Sequence, residues 1–243
     1  MNIQIEYAEW DSDFFHQKTG IIKIPTNVLV TTNMLSEIKE MADIQNYQII
    51  YIMLLHGNTI ENNLLKISNK YISWVDTKII YTKTIHPSGM SPHSFIESFN
   101  SMAIPDELYS ITIESGKYSR FKNDPHFPKG AFNLLYKRWI ERSVNKEIAD
   151  DVLVHYNRSK INGFLSYKTD GTSCTIGLIA VTPDQQGRGI GSKLINHLEH
   201  KMLSQNINIL NVATQSANIQ ACTFYEKIGF QIKDVTNIYH LWL

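Results

Sequence analysis

A glycine-rich segment after an apolar run is the part of this sequence best suited to bind a charged ligand. It extends from Val181 to Lys193 and reads VTPDQQGRGIGSK, which predicts a strand end, a polar turn and the start of an amphipathic helix. Glycine lets the backbone adopt positive φ and approach a ligand closely, and the N–H groups of a first helical turn attract anions. With the added charge of Arg188, the segment predicts a ligand that carries phosphate, in particular a pyrophosphate.

The spacing of the glycines separates this segment from two other phosphate-binding motifs. A dinucleotide-binding fingerprint requires G-x-G-x-x-G early in a βαβ unit, whereas Gly187, Gly189 and Gly191 give G-x-G-x-G late in the chain. A Walker loop, G-x-x-x-x-G-K-[ST], is absent from the sequence. We therefore expect neither a Rossmann site nor a P-loop site.

Two segments in the expected order resemble the signatures of a known superfamily. The pattern Q-x-x-G-x-G at 186–191 resembles the pyrophosphate loop of the GCN5-related N-acetyltransferase (GNAT) superfamily, and Asn218 with YEKIGF at 225–230 resembles its second signature. The resemblance covers about residues 95–243. It implies a GNAT fold, acetyl-CoA as the acyl donor and direct transfer to an amine. The cofactor-binding residues that it implies are Ile179, Val181, Gln186, Gly187, Arg188, Gly189, Gly191, Ser192 and Asn218.

Shorter segments resemble one branch of that superfamily, the TDP-fucosamine acetyltransferases. Members of this branch acetylate the 4-amino group of a dTDP-linked 4-amino-4,6-dideoxyhexose. The matching segments are SRF at 119–121, DPHFP at 124–128, LYKRWI at 135–140, NVATQ at 211–215 and WDSDFF at 10–15. The resemblance implies a nucleotide-linked amino sugar as the acceptor, with Ser119, Arg120, Phe121 and Phe127 as the residues that bind it.

Tyr225 is the residue for which we expect a catalytic role. It shares a predicted helix with Ala221, Phe224 and Ile228, so it is either a core tyrosine or the acid that protonates the departing CoA thiolate. Its position in the family signature favours the acid. Asn218, on the same helix face, is either the N-cap or a contact to the pantetheine arm.

No constellation of acidic residues and histidines identifies the group that deprotonates the amine. Glu114, Asp124 and His126 are candidates near the expected acceptor loop 117–130, and a chain of water molecules is an equal alternative. Arg120 either pairs with the diphosphate of a nucleotide sugar or forms a surface ion pair.

Cysteine and histidine spacings favour neither covalent nor metal chemistry. Cys222 lies in an apolar helix with no histidine in sequence reach, so we interpret it as a buried structural residue rather than an acyl carrier. His197 and His200 lack the i, i+4 spacing of a helical metal site, so no metal is expected. Only one other cysteine, Cys174, occurs, which is typical of a reducing compartment and indicates a cytoplasmic protein.

The elements that must position these residues follow a mixed α/β order. The patterns predict, in turn, a strand (95–100), two helices (105–117 and around 132–140), three strands in an antiparallel meander (151–156, 163–167, 174–181), a helix (190–202), a strand (209–213), a helix (218–228) and a final strand or two from 231. We expect strand 174–181 to splay from strand 209–213, so that backbone groups bind the pantetheine amide. A backbone N–H near Val181 would then stabilise the tetrahedral oxyanion.

A smaller α/β domain is expected to precede this one, divided from it by the Pro-, Gly- and Ser-containing stretch Thr84–His93. The predicted domains are 1–90 and 94–243, the first with a possible contribution to the acceptor site. Its elements are strands near 3–7, 20–24 and 48–55, helices at 32–42 and 64–69, and one or two strands in 72–82. The aromatic cluster Trp10, Phe14 and Phe15 is expected to belong to its core.

Composition excludes several other functions. Lys+Arg and Asp+Glu both number 23 among 243 residues, so the basic surplus typical of nucleic-acid binders is missing. The longest apolar run, Ile49–Leu55, is too short for a bilayer, and the N-terminal residues do not resemble a signal peptide. No membrane partner is therefore expected, and a homodimer stays open. Two alternatives remain: a GNAT enzyme acting on a peptide N-terminus, polyamine or antibiotic, and a non-catalytic CoA-binding regulatory module.

Overall fold

The chain folds into two compact units that do not divide at a single point of the sequence. A computed structural model describes residues 3–56, 58–60, 72–87, 95–101 and 103–243. The first unit comprises Met1–Ile79, Gln215–Ala217 and Asp234–Leu243, and the second comprises Ile80–Thr214 and Asn218–Lys233. The boundary predicted near residue 90 lies outside the described residues and stays a prediction, whereas residues 234–243, predicted to belong to the catalytic domain, cluster with the first unit.

The first unit is a small α/β unit built on a mixed sheet. The strands of this unit are β1 (Glu6–Tyr7), β2 (Thr19–Ile24), β3 (Leu29–Val30), β4 (Ile49–Leu55), β5 (Thr59–Ile60) and parts of β6 (Ile72–Thr84) and β12 (Gln231–Trp242). Strand β2 runs parallel to β4, and β12 pairs with β4 antiparallel from Thr236↔Leu55 to Trp242↔Ile49. This pairing explains why the last residues cluster with the first unit: their backbone groups complete its sheet.

Two helices among the described residues accompany this sheet. They are α1 (Glu9–Phe15) and α2 (Thr32–Ile44). The Thr31 side chain caps α2 by accepting a hydrogen bond from Met34 N. Buried Ile38 and Ala42 of α2 belong to the same apolar cluster as Ile50 and Ile52 of β4. The apolar face of α2 and the apolar strand β4, both predicted from the sequence, therefore pack in one core.

The second unit has the mixed α/β layout expected of the catalytic domain. Its helices are α3 (Asp106–Ser115), α4 (Arg120–Asn123), α5 (Ala131–Val144), α6 (Ile190–Leu203) and α7 (Ile219–Lys227). Its strands, besides the last residues of β6 and the first of β12, are β7 (Ile96–Ser98), β8 (Asp151–Asn157), β9 (Lys160–Asp170), β10 (Ser173–Val181) and β11 (Ile209–Gln215). The order of neighbouring strands is β6-β11-β10-β9-β8-β7.

The register of this sheet sets the level of each residue along it. Strands β8, β9 and β10 form the predicted antiparallel meander, while β10 and β11 run parallel. Asp151 pairs with Tyr167, which pairs with Ile176 at one end. At the other end Gly163 pairs with Val181. The residues on the two sides of the meander can therefore be assigned to one end of the sheet or the other.

The predicted element order is confirmed in the second unit, and the differences are local. The predicted acceptor loop contains the short helix α4. Its four residues are too few for a helical periodicity to show in the sequence. Pro105 lies at the N-cap of α3 rather than inside its first turn. In the first unit, the aromatic cluster forms helix α1, and the helix predicted at 64–69 lies outside the described residues. No helix of the described residues is long and apolar enough to cross a membrane.

Candidate active site

Strands β10 and β11 separate along their length and leave part of β10 without a partner on that side. Their register runs from Ser173↔Ile209 to Ile176↔Val212 and goes no further among the described residues. Strand β10 nevertheless continues to Val181. Ile179 and Val181, two of the residues predicted to bind the cofactor, lie in this stretch. Its backbone groups toward β11 can bind the amide groups of an extended ligand.

A bulge in β10 begins where the two strands part. The register of β10 against β9 shifts between Ile176 and Leu178, and the Leu178 N–H donates to Ser166 Oγ at 2.9 Å. A Cβ on Gly177 would lie 3.1 Å from the same Oγ, so glycine leaves room for this side chain. A side-chain acceptor on β9 therefore supports the irregular backbone of β10.

The glycine-rich loop has the geometry of an anion site. Gly187 and Gly189 adopt φ of 75° and 77°, and a Cβ on either would meet nothing within 4 Å. Gly189 is the N-cap of α6, and no side chain caps that helix. The N–H groups of its first turn, which includes Gly191 and Ser192, have no partner within the helix. With the helix dipole behind them, these groups can hold a phosphate.

Two predicted cofactor residues of this loop have a structural use. Gln186 Nε2 donates to the Val181 carbonyl at 3.1 Å, and Gln186 Oε1 accepts from Gln220 Nε2 at 3.1 Å, so this side chain holds the loop against β10 and α7. A Cβ on Gly191 would lie 3.2 Å from the Phe224 ring, so this glycine lets α6 approach α7 closely. Arg188 is exposed beside the loop and has no ion pair with another described residue.

Tyr225 lies on α7 with its ring in an aromatic cluster. It is 3% exposed, and the ring centroids of Tyr81, Phe224 and Phe230 lie at 5.6, 5.3 and 5.7 Å. Its hydroxyl makes no hydrogen bond with another described residue. Burial, followed by the proximity of the Cys222 thiol, raises the pKa of Tyr225. The phenol is therefore protonated at neutral pH, the state that a proton donor requires.

Tyr81 is the contact of Tyr225 that the sequence did not indicate. It lies on β6, is 1% exposed, and its hydroxyl donates to Glu226 Oε1 at 2.9 Å. Lys83, two residues further along the same strand, pairs with Glu199 of α6 at 2.5 Å. No signal in the sequence links β6 to α6 or α7, because these strand and helix residues are more than 100 positions apart.

Asn218 is the N-cap of α7. Its Oδ1 accepts from Ala221 N at 3.2 Å, which is the first of the two roles that its sequence position allows. The side-chain amide N–H groups do not take part in this cap. A contact of Asn218 with the cofactor therefore stays a prediction.

The predicted acceptor residues divide into buried and charged ones. Ser119, Phe121 and Phe127 are 4%, 6% and 7% exposed; Ser119 caps α4 by accepting from Phe121 N, and the two phenylalanine rings lie 5.4 Å apart. These three side chains thus build the segment itself. The Arg120 guanidinium stacks over the Phe121 ring at 4.4 Å.

The same segment contains a histidine held by a buried carboxylate. Asp124 Oδ1 accepts from His126 N at 3.0 Å and lies 2.8 Å from His126 Nδ1. The Asp124 side chain is fully buried, whereas that of His126 is 53% exposed. The third candidate base, Glu114, pairs instead with Lys117 at 2.7 Å.

Among the described residues, the two cysteines form no disulfide and no cluster of metal-ligating side chains is present. Cys174 is fully buried, which raises the pKa of its thiol to about 12, and it is not joined to Cys222 in a disulfide. No group of three or more His, Cys, Asp or Glu side chains among these residues is arranged to hold a metal ion.

Comparisons with known proteins find similarity to acetyltransferases. Residues 117–230 match the model of the acetyltransferase (GNAT) family. The spore coat polysaccharide biosynthesis protein SpsD of Bacillus subtilis (strain 168) is 27% identical over 137 residues, 56% of this chain and 47% of that protein. Acetyltransferase SG1711 of Sodalis glossinidius (strain morsitans) is 30% identical over 95 residues, 39% of this chain and 66% of that protein. The aligned regions thus span about half of the first relative and just under two thirds of the second.

A solved structure shows the same fold. The GCN5-related N-acetyltransferase from Sphaerobacter thermophilus superposes with a TM-score of 0.55 at 12% identity, over 99% of this chain and 76% of that one. At this identity the similarity concerns the fold. The chain therefore has the GNAT fold that the sequence predicts.

Proposed function

We propose that the chain is an N-acetyltransferase that moves an acetyl group from acetyl-CoA directly to a primary amine, and the match of residues 117–230 to the acetyltransferase (GNAT) family supports this. The observation that carries the proposal is the coincidence of two features at one end of β10. The strand loses its β11 partner there, and the uncapped first turn of α6 follows within the next residues. The first suits a pantetheine arm and the second a pyrophosphate.

The residues present fit acetyl-CoA in these two ways. The pyrophosphate would accept hydrogen bonds from the N–H groups around Gly189 and from the first turn of α6, with Arg188 adding charge. The pantetheine amides would pair with the open backbone of β10 near Ile179 and Val181. The acetyl carbonyl would then lie beside β10, where a backbone N–H near Val181 can stabilise the oxyanion.

Tyr225 is the proposed proton donor to the departing thiolate. Phenols ionise near pH ~10 and thiols near ~8.5, so transfer becomes favourable only as the C–S bond breaks. The hydroxyl of Tyr225 has no competing partner among the described residues, and its buried ring fixes the direction of the C–O bond. A core tyrosine normally finds a hydrogen-bond partner, which makes the catalytic role the better explanation of this one.

For the acceptor we propose an amine on an anionic small molecule, in particular the 4-amino group of a dTDP-linked 4-amino-4,6-dideoxyhexose. The segment 117–138 contains six Lys and Arg residues but one acidic residue, Asp124, in a chain with no formal net charge. Lys122 lies over the Phe132 ring at 5.6 Å, as Arg120 does over Phe121, so cations and aromatic faces alternate. This surface suits a nucleoside diphosphate better than a polyamine.

The name of one relative supports an amino sugar as the acceptor. SpsD is named for spore coat polysaccharide biosynthesis, and amino sugars are components on which such a pathway can act. We also propose that the reaction takes place in the cytoplasm.

A thiol-release assay with acetyl-CoA tests the proposal against a panel of acceptors. The panel holds dTDP-4-amino-4,6-dideoxyhexoses, spermidine, a peptide with an unblocked N-terminus and an aminoglycoside. We expect turnover with an amino-sugar nucleotide. Thiol release with simple amines alone would overturn the acceptor proposal, and acetyl-CoA binding without turnover would favour the regulatory module.

Arg120→Ala tests the acceptor site more sharply. If Arg120 holds the diphosphate equally in ground and transition states, the variant raises KM for the sugar nucleotide with little change in kcat. A hydrogen bond to a charged group contributes about 1.5–3 kcal/mol, so KM should rise roughly 10- to 100-fold. Arg158→Ala, which removes an exposed arginine from the β8–β9 turn, is the control and should leave KM unchanged. If Arg120→Ala and Arg158→Ala have the same KM for the sugar nucleotide, Arg120 does not contribute to the acceptor site.

A further inference from the structure

We place the segment between α3 and α5 at the end of the sheet where β10 and β11 part, on the basis of the connections at both ends of α5. Glu147 N donates to the Arg142 carbonyl at 2.9 Å, and Asp150 N, three residues further, donates to the Tyr167 carbonyl at 2.8 Å. Arg142, in the last turn of α5, therefore lies within roughly 17 Å of Tyr167, since three residues span at most about 11 Å and each hydrogen bond adds about 3 Å. Tyr167 is level with Ile176, where β10 and β11 are still paired.

Helix α3 runs antiparallel to α5. The Tyr109 hydroxyl, near the start of α3, donates to Glu141 Oε1 near the end of α5, and Gly116, just after α3, lies against the Tyr136 ring. Helix α5 is 14 residues long, about 20 Å. With α5 running along the strands, as our inference requires, the connecting segment 117–130 is placed at the opposite end of the sheet from Tyr167. That is the end at which β10 reaches Val181 and the glycine-rich loop begins.

Within this segment Asp124 orients the His126 ring and selects the tautomer of the neutral imidazole. The carboxylate lies 2.8 Å from Nδ1 and also accepts from the His126 backbone N–H. A carboxylate can only accept a hydrogen bond, so the neutral imidazole carries its proton on Nδ1. Its lone pair is then on Nε2. A histidine oriented in this way by a buried carboxylate is the arrangement of a general base.

The other two candidates for the base are committed elsewhere. Glu114 is ion-paired with Lys117 one turn along the chain. The Asp124 side chain has no exposed surface and is used by His126. The His126 side chain, in contrast, is 53% exposed and can exchange protons with solvent.

We infer that His126 is the base that deprotonates the acceptor amine and that Asp124 is its positioning residue. This inference rests on the proposed acetyltransferase function and names the deprotonating group of that same site. It also replaces the chain of water molecules that the sequence leaves open as an alternative.

The proposed step balances as follows. His126 Nε2 takes one proton from the ammonium group of the acceptor and passes it to solvent. The neutral nitrogen attacks the thioester carbon, so that a C–N bond forms and the C–S bond breaks. Tyr225 protonates the thiolate, and the second proton that nitrogen loses restores the tyrosine hydroxyl through solvent. One acetyl group is transferred, and one proton is released.

His126→Gln tests the assignment, with the acceptor that the wild-type protein turns over best. General base catalysis typically contributes ~10²–10⁴-fold, so kcat/KM for the acceptor at neutral pH should fall by about that factor. The loss should shrink as pH rises, because more of the amine is then already neutral. Affinity for acetyl-CoA should stay unchanged. Imidazole added to His126→Ala should restore part of the rate, which a merely structural histidine would not allow.

The control is His200→Gln, which removes an exposed histidine from α6, and it should match the wild type throughout. Asp124→Asn should lower kcat/KM by a smaller factor, without rescue by imidazole, since the ring that it orients is still present. Wild-type kcat/KM in His126→Gln across the pH range overturns the inference and leaves the acetyltransferase proposal intact. A wild-type protein that acetylates none of the acceptors overturns both.

Discussion

At the scale of single residues, Tyr225 combines a buried ring with a hydroxyl that meets no hydrogen-bond partner among the described residues. The rings of Tyr81 and Phe230 hold it from two elements. Packing therefore fixes the ring, and no other group in the described part of the chain forms a hydrogen bond with the hydroxyl. A substitution that removes only the oxygen separates its chemical role from its packing role.

Tyr225→Phe should lower kcat by about 10²–10⁴-fold, the usual contribution of a general acid. Affinity for acetyl-CoA should change little, because a proton delivered in the transition state adds little to ground-state binding. The free energy of unfolding should change by less than about 0.5 kcal/mol, since no hydrogen bond is lost. Steady-state kinetics, acetyl-CoA titration and thermal unfolding of one preparation measure all three.

Tyr239→Phe is the matched control, because Tyr239 is also buried but lies on the β12 residues of the first unit. It should keep wild-type kcat. A Tyr225→Phe variant with wild-type kcat would remove this residue from the mechanism and leave water as the proton donor.

Gly189→Glu should abolish the stabilisation that acetyl-CoA gives the wild-type protein. A ligand at 100 times its Kd contributes about 2.7 kcal/mol of stability, which raises Tm by roughly 5–10 °C in a protein of this size. The new carboxylate would occupy the phosphate site and repel the ligand. Thermal unfolding with and without millimolar acetyl-CoA measures the effect.

Positive φ makes any side chain at Gly189 strained, so the control must carry the same strain. Gly171, with φ of 57° and open space around its Cβ, lies in the β9–β10 turn. Gly171→Glu should lose comparable stability yet keep the acetyl-CoA shift. Loss of the shift in both variants would mean that strain, not the phosphate site, explains the result.

The sequence predicts those residues of the site whose roles depend on local backbone geometry. The glycines of the loop and the helix start at Ile190 follow from short-range patterns, and both are present. Tyr81 could not be predicted, because its contact with Tyr225 depends on strand order. Gln186 shows the same limit. The sequence identifies Gln186 as part of the loop, but it does not predict the hydrogen bonds by which this side chain holds the loop.

At the scale of elements, the separation of β10 from β11 depends on a side chain of a third strand. Ser166 of β9 is 2% exposed, and its Oγ replaces a backbone acceptor for the Leu178 N–H. The bulge begins at this point and shifts the register of the rest of β10. Ser166 thus supports the part of β10 on which the proposed pantetheine contacts depend.

Ser166→Ala should weaken acetyl-CoA binding and destabilise the fold together. The part-buried Leu178 N–H would lose its partner, which costs about 1 kcal/mol, and β10 would be less restrained next to the ligand. Thermal unfolding and acetyl-CoA titration should both show the loss. Ser173→Ala, at the first residue of β10 and far from the bulge, is the control. Wild-type affinity in Ser166→Ala would show that the bulge persists without this hydrogen bond.

The sequence predicted whether each element is a helix or a strand better than it predicted which strands pair with each other. Helix α6 and the meander β8–β10 were predictable because their apolar periodicity and turn residues are local signals. The pairing of β12 with β4 was not, since nothing in either strand specifies which of several apolar strands it joins. Short helices such as α4 depend on caps and contacts rather than on periodicity.

At the scale of the whole molecule, the second unit includes a strand from outside the segment that matches the family. Strand β6 precedes that segment, yet its residues from Ile80 onward belong to the second unit. They supply Tyr81, against Tyr225, and Lys83, paired with Glu199. The predicted domain 94–243 therefore lacks part of its own sheet.

A fragment of residues 94–243 should not unfold cooperatively near the Tm of the full chain. Losing the buried contacts of Tyr81 alone should cost about 3 kcal/mol or more, which corresponds to a Tm lower by roughly 6–12 °C. Circular dichroism and kcat of the fragment and the full chain measure this. Tyr81→Leu in the full chain is the companion variant and should lower kcat with little effect on acetyl-CoA affinity. A fragment with full stability and activity would show that β6 is dispensable.

The pairing of β12 with β4 also sets the order in which the first unit can form during synthesis. Strand β4 ends at Leu55, whereas its partner residues in β12 begin at Thr236. At ~5–20 residues per second, a ribosome needs roughly 10–40 s to make the chain between them. During that interval β4 has an unpaired, apolar edge, which is the kind of edge that recruits strands of other chains. Chaperone binding to the nascent chain would be most useful in this window.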